Sequence, residues 1–438
     1  MRSPSGNNLG RMARIIIVWG LWGPYHCSRY RALRELAARE GHEAIGVSLF
    51  SGSSDYQWKT GGLPEGVVHF DLGRDETRFP LQRVGRLTVI PRQLRADVAF
   101  LPSYDHWSLA LNAAARMSRC RTVMMNDSHA GTARARGLKA AFKRQVVASF
   151  HAGFVAGEPH RRYFASLGLP AEKIYTGYDA VDNDYFAARA AEVRNRRQEF
   201  LTRYQLPEHY FLSLGRFVAK KNLPVLIQGY SRFLKAHPAT QNHLVFVGSG
   251  EEEAKLRAMC GELRLPVYDK TKLEIGNRKS EIGNDMPGVH FYGFRQLAEN
   301  PVFYALADAF ILPSLYEEWG LVVNEAMASG LPVIVSETVG CAEDLLPPGQ
   351  PPVPPGLPEE TQARLKQAAG QIRKNGFVFA PESVPSLTNA LFIMEAASEI
   401  RVTMAKASQS IIDRFSCENF ATNALLAADA AMEKRTRI

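Results

Sequence analysis

Glu317 and Glu325 are separated by seven residues, and between them Trp319, Gly320, Leu321 and Val322 open a predicted helix. The first four amides of a helix have no partner inside it and form a ready anion site. One segment therefore offers two carboxylates for hydroxyl groups and a row of N–H groups for phosphate. The competing reading is a solvated first turn whose glutamates favour the helix dipole. The elements that must carry these residues follow from the flanking pattern. Ala309–Leu312 is a short apolar strand, residues 313–320 a tight loop, residues 321–329 a helix, and 332–335 a second apolar strand. Gly330 followed by Pro332 is the expected helix stop. A crossover helix between two apolar strands implies a parallel sheet, in which ligands bind at the carboxyl ends of the strands.

This segment resembles the E-x7-E motif of the retaining glycosyltransferases of family 4, also described as glycosyl transferases group 1. Their pattern is close to P-S-x-x-E-G-F-G-L-x-x-x-E-A-M-A-x-G-x-P-V. The chain matches it at Pro313, Ser314, Glu317, Gly320, Leu321, Glu325, Ala326, Met327, Ala328, Gly330, Pro332 and Val333. Glu318 and Trp319 stand where the family has Gly and Phe, so an extra negative charge is expected near the sugar. Residues 211–226, FLSLGRFVAKKNLPVL, resemble the family's G-R-x-x-x-x-K-G segment, with Asn222 in place of Gly. HLVFVGSG at 243–250 resembles the small-residue turn beside the nucleotide, and VHFYGF at 289–294 the strand flanking the nucleobase, ending in Phe294.

The resemblance implies a GT-B fold: two Rossmann-like doubly wound α/β domains facing across a cleft, with a C-terminal helix crossing back. It implies Arg216 and Lys221 on the donor diphosphate, Glu325 on the ribose and Glu317 on the transferred sugar. A departing nucleoside diphosphate is negatively charged, and fixed cations meeting that charge lower the barrier. Arg216 and Lys221 would do this without a metal, so no cofactor is expected. In the front-face mechanism proposed for such enzymes the leaving phosphate helps deprotonate the acceptor, and no protein nucleophile is required. Asp182, Asn183 and Asp184 have the D-x-D form of metal-dependent transferases but are read as a turn before the linker.

At 438 residues the chain is long enough for two domains. Its 46% hydrophobic and 22% charged residues are those of an ordinary globular protein, and no apolar run approaches membrane-span length. The expected division is 12–205 as an acceptor-binding domain, 206–405 as a nucleotide-sugar-binding domain and 406–438 as the returning helix. Residues 187–204 are read as one helix leading to a hinge near Leu206 and Pro207. Met12 is a candidate start, because residues 1–11 are polar and Gly-rich. Five scattered cysteines without metal-ligand spacing suggest a reduced, cytoplasmic protein.

Strands at Arg14–Trp19, 43–50, Val98–Pro102, 122–126 and 153–156 alternate with helical stretches, which predicts a parallel α/β first domain. The turn WGLWGPY places Gly20 and Gly23 after the first strand, where backbone can approach a ligand closely. Gly23 is placed on the donor side, and His26 and Arg29 on the acceptor side, with a packed or capping role as the alternative for His26. Asp127 and His129 are further acceptor-side candidates, with helix-cap or turn roles as alternatives.

Charge is uneven. Residues 1–205 hold 30 Lys+Arg against 18 Asp+Glu, and the remainder 23 against 26. Arg134, Arg136, Lys139, Lys143 and Arg144 lie among Leu138, Phe142, Val146 and Val147. At helical spacing this pattern suits an anionic membrane surface, here the inner one, or a basic helix packed on its own domain. No nucleic-acid motif accompanies it. The expected partners are a nucleotide-sugar donor and a glycan or lipid-linked acceptor, in polysaccharide or glycoconjugate biosynthesis. A GT-B sugar-nucleotide epimerase and a non-catalytic basic surface protein are the alternatives. Residues 265–287 and 349–360 are predicted surface loops.

Overall fold

The computed structural model describes residues 12–51, 62–73, 83–102, 106–133, 137–272 and 286–433. The chain divides into two units, one of residues 1–182 and 415–438, the other of residues 183–414.

The first unit is built on β1 (Arg14–Trp19), β2 (Glu43–Ser48), β3 (Val67–His69), β4 (Val98–Pro102), β5 (Arg121–Asn126), β6 (Ala152–Val155) and β7 (Ile174–Tyr175). They form one parallel sheet in the order β3-β2-β1-β4-β5-β6-β7. The central strands are apolar along their whole length because helices cover both faces. Ile15 and Ile17 point to one core with Tyr30, Leu33 and Phe420, while Ile16 and Val18 point to the other with Leu87, Trp107 and Leu111.

The second unit contains β8 (Tyr210–Leu214), β9 (His243–Val247), β10 (Val267–Asp269), β11 (Val289–Phe291), β12 (Ala309–Leu312), β13 (Val333–Ser336), β14 (Ile372–Arg373) and β15 (Gly376–Phe379). Their order is β10-β11-β9-β8-β12-β13-β15-β14, parallel except for the β14–β15 pair. Both sheets are doubly wound, as expected.

Three boundaries differ from expectation. Residues 187–204 form two helices, Asn183–Asn195 and Arg197–Tyr204, broken at Arg196. Both belong to the second unit, so the division falls at 182/183 rather than 205/206. The cause is packing: Phe186, Ala190 and Val193 are buried, and Arg194 Nε donates to Ala305 O at 3.1 Å. The final stretch likewise breaks, after Ser398–Ile412, and a new helix, Cys417–Met432, starts on a Ser416 cap whose hydroxyl accepts from Asn419 N–H. That second helix packs within the first unit.

Candidate functional site

The loop after β12 is fixed from three sides. Gly340 N–H donates to Glu317 O at 3.1 Å and Cys341 N–H to Trp319 O at 3.2 Å, so the segment after β13 braces it. A Cβ at Gly340 would lie 1.8 Å from Glu318 O, and only glycine permits that approach. Leu315 N–H donates to Lys220 O at 2.8 Å, which ties the loop after β12 to the loop after β8. Gly320, at φ +109, heads the helix Leu321–Ala328. That helix ends in a Schellman arrangement, with Gly330 N–H on Met327 O and Leu331 N–H on Ala326 O.

Glu317 sits at the centre of this frame, 7% exposed. Its Oε1 accepts from Ser314 Oγ at 3.0 Å and faces Lys221 Nζ at 2.6 Å, while Oε2 faces Lys220 Nζ at 3.2 Å. Burial opposes ionisation of Glu317, but the Lys221 and Lys220 ammonium groups and the Ser314 hydroxyl outweigh it and hold its carboxyl below the usual carboxylate range. Burial also works against the charge of Lys220, and Glu317 and Glu318 outweigh it. Glu318, where the family has Gly, bonds Lys220 at 3.2 Å and is partly exposed.

Asn222 occupies the left-handed region at φ +53, which explains why the family has Gly there and why Asn serves. Its Nδ2 donates to Pro313 O at 3.2 Å and Pro381 O at 2.7 Å, a link that Gly cannot make. Lys221 immediately precedes it, with its Cε and Nζ end beside Gly215. Arg216 is exposed beyond the end of β8.

The remaining donor-side residues are less open than the resemblance suggests. Glu325 lies inside the helix, fully buried, and its Oε2 accepts from Asn300 Nδ2 at 3.4 Å. Trp319 is buried, with its Nε1 donating to Asn324 Oδ1 at 2.9 Å. Leu321 and Val322 are half-buried in the first helical turn. Phe294 is half-buried beyond β11, next to Gly293, whose carbonyl accepts from Gly248 N–H at 2.8 Å.

The remaining candidates belong to the first unit. Gly23 caps the helix Pro24–Arg39, and its N–H donates to His26 Nδ1 at 3.0 Å. His26 thus takes the capping role that sequence left open, and burial together with Arg29 lowers its pKa to about 3. Gly157 and His160 repeat the device, at 3.2 Å. Arg29 is not on an open acceptor face: it is 2% exposed, donates from Nε to Ala180 O at 2.8 Å and pairs with Asp179 at 3.1 Å. His129 is buried, accepts from Gly131 N–H at Nδ1 and packs on His160, which is the turn alternative. Asp127 is half-buried beyond β5. A separate cavity of about 210 Å³ lies at the carboxyl end of β1 and β2, lined by Trp22, Cys27, Ser48, Phe50, Leu63 and His69 among others.

Of the basic cluster, Lys143 is buried and donates to Tyr163 OH at 2.9 Å, so it is not part of a surface. Lys139 and Arg144 are exposed beside Leu138 and Phe142, while Arg134 and Arg136 lie outside the described residues. Asp182 and Asp184 flank the start of the helix Asn183–Asn195, as a turn reading expects. Lys220, which the sequence reading passed over, is the second cation on Glu317; the only signal in the sequence was the doublet Lys220-Lys221.

Residues 208–392 match the family described as Glycosyl transferases group 1. Mannosylfructose-phosphate synthase of Agrobacterium fabrum is 29% identical over 160 residues, 36% of this chain and 31% of that protein. The chain thus matches only about a third of that relative's length. A glycosyltransferase from Rickettsia africae superposes with a TM-score of 0.67 at 13% identity, covering 97% of this chain and 99% of that one. Anabaena HepE, solved with UDP, gives a TM-score of 0.62 at 16% identity, over 94% and 98% of the two chains. Residues 208–392 thus resemble the glycosyl transferases group 1 family, and the two doubly wound units have the GT-B fold.

Proposed function

We propose that the protein transfers a sugar from a nucleoside diphospho-sugar to a glycan or lipid-linked acceptor, with retention of configuration and without a metal. The observation that carries this reading is the Lys221–Glu317–Ser314 cluster, with Lys220 beside it, at the carboxyl ends of β8 and β12 in the second unit. Lys221 and Arg216 are the cations that meet the departing diphosphate, and the amides of Gly320, Leu321 and Val322 point the positive end of their helix toward the same charge. Glu317, held ionised, is an acceptor for sugar hydroxyls. Glu325 takes the ribose, in exchange for its bond to Asn300. The Ser48 and His69 pair, 3.1 Å apart in an otherwise largely apolar cavity, supports an acceptor-side role for the first unit.

A peripheral contact of the first unit with an anionic membrane, on the cytoplasmic side, is a second element of the reading. Leu138 and Phe142 are 90% and 59% exposed on one helix, next to Lys139 and Arg144. Apolar side chains beside cations suit a headgroup boundary. No helix among the described residues is long and apolar enough to cross a membrane.

The test is a thermal-shift panel of UDP, GDP and ADP and their hexose esters with chelator present, on wild type and Glu325→Ala. Stabilisation by one nucleotide that Glu325→Ala removes is the expected result, and the anomeric configuration of the product, read by NMR, then checks retention. Binding of anionic vesicles with no nucleotide response would point to a non-catalytic surface protein. A changed free sugar nucleotide without acceptor would point to an epimerase.

A further inference from the structure

Lys220 has no task in the donor chemistry described so far, yet its ammonium lies 3.2 Å from both Glu317 and Glu318 and 5.5 Å from the centre of the Tyr316 ring. The two oxygens of Glu317 are divided between the lysines: Oε1 faces Lys221 and Oε2 faces Lys220. We infer that Lys220 is a positioning residue of the donor site, which holds Glu317 when Lys221 turns to the diphosphate, and that Glu318 tunes that hold. The inference rests on the donor-site reading above.

The cluster keeps its charges balanced in a partly dry place. Two lysines and two glutamates cancel, so the cluster is neutral before a donor arrives. A diphosphate that draws Lys221 away would leave Glu317, which is almost wholly enclosed, with Lys220 as its remaining lysine, and a buried carboxylate stripped of counter-charge is costly. Lys220 removes that cost because it already occupies the other oxygen. Without Lys220, Glu317 would compete with the diphosphate for Lys221, and nucleotide would bind more weakly. Glu318 acts in the opposite sense: it shares Lys220 and adds a negative charge near the phosphates. It is more exposed than Glu317, so its influence is the smaller one.

Calorimetry on the full chain with UDP, GDP and ADP tests this, using wild type, Lys220→Met, Lys220→Arg, Glu318→Gln and the double variant Lys220→Met/Glu318→Gln. For the nucleotide that binds, Lys220→Met weakens affinity about five- to twenty-fold, between the scales of an exposed ion pair and a charge-assisted hydrogen bond. Lys220→Arg recovers most of that loss. Glu318→Gln tightens binding about two- to five-fold in the wild-type background, and clearly less once Lys220 is gone. A purely structural role would lower Tm without that coupling. Wild-type affinity in Lys220→Met, or an equal Glu318→Gln effect with and without Lys220, overturns the inference while leaving the donor site standing. A wild type that binds none of the three nucleotides overturns the donor-site reading, and this inference with it.

Discussion

At the residue scale the site depends on side chains chosen for backbone as well as charge. Asn222 stands at φ +53 and bridges two carbonyls, so Asn222→Gly loses only the bridge while Asn222→Ala also adopts a strained conformation. Denaturant titration should show Asn222→Ala about 1 kcal/mol less stable than Asn222→Gly; equal stability, or the reverse order, would mean that the left-handed backbone carries no strain. His26 gives a pH-dependent prediction. Its folded pKa is lowered to about 3 from an ordinary 6.5 by burial and Arg29, so the unfolded chain takes up a proton between these values and the folded chain does not. Stability must therefore fall as pH drops from 6.5 toward 3. His26→Gln, which keeps a side chain able to cap the helix, removes one proton from that slope; His290, also lowered to about 3, keeps part of it. The Glu317 contribution has the same sign but a lower window, since its depressed carboxyl protonates only below the ordinary 4.5. Glu317 and Lys221, singled out by the motif, do come into contact, with Ser314 on the same carboxylate oxygen. The place of Arg29 was not legible, because whether a cation faces solvent or a buried Asp179 is decided by a partner 150 residues away.

At the element scale the strand, loop, helix and strand from Ala309 to Ser336 agree with the sequence to within a residue, because Gly320, Gly330 and Pro332 punctuate short apolar runs. The break at Arg196 was illegible: no Gly or Pro marks it, and tertiary packing of Arg194 on Ala305 and Ser329 ends the first helix there. The loop geometry itself yields a test. Gly340→Ala places a methyl group 1.8 Å from Glu318 O, so the loop carrying Glu317 must shift. The expected outcome is at least a tenfold loss of nucleotide affinity, the scale of one charge-assisted contact, with circular dichroism unchanged. Unaltered affinity would mean that the bracing segment does not position Glu317.

At the scale of the whole molecule the chain leaves the first unit at Asp182 and returns to it at Phe415. A returning helix was implied by the family resemblance, but not the point of return, which a parallel bridge between Val181 and Ser416 marks. Phe420 is fully buried against Trp19, Phe154 and Tyr178, so Phe420→Ala should cost about 3–5 kcal/mol in chemical denaturation. If the second unit binds the nucleotide as proposed, nucleotide affinity should be kept at temperatures where the variant is folded. Calorimetry of wild type and Lys221→Met with UDP, GDP and ADP in chelator asks whether Lys221 binds a nucleoside diphosphate, as proposed. One of these nucleotides should bind the wild type, and Lys221→Met should weaken it by about ten-fold or more. Binding of none of them to the wild type, or equal binding to the variant, would contradict that proposal.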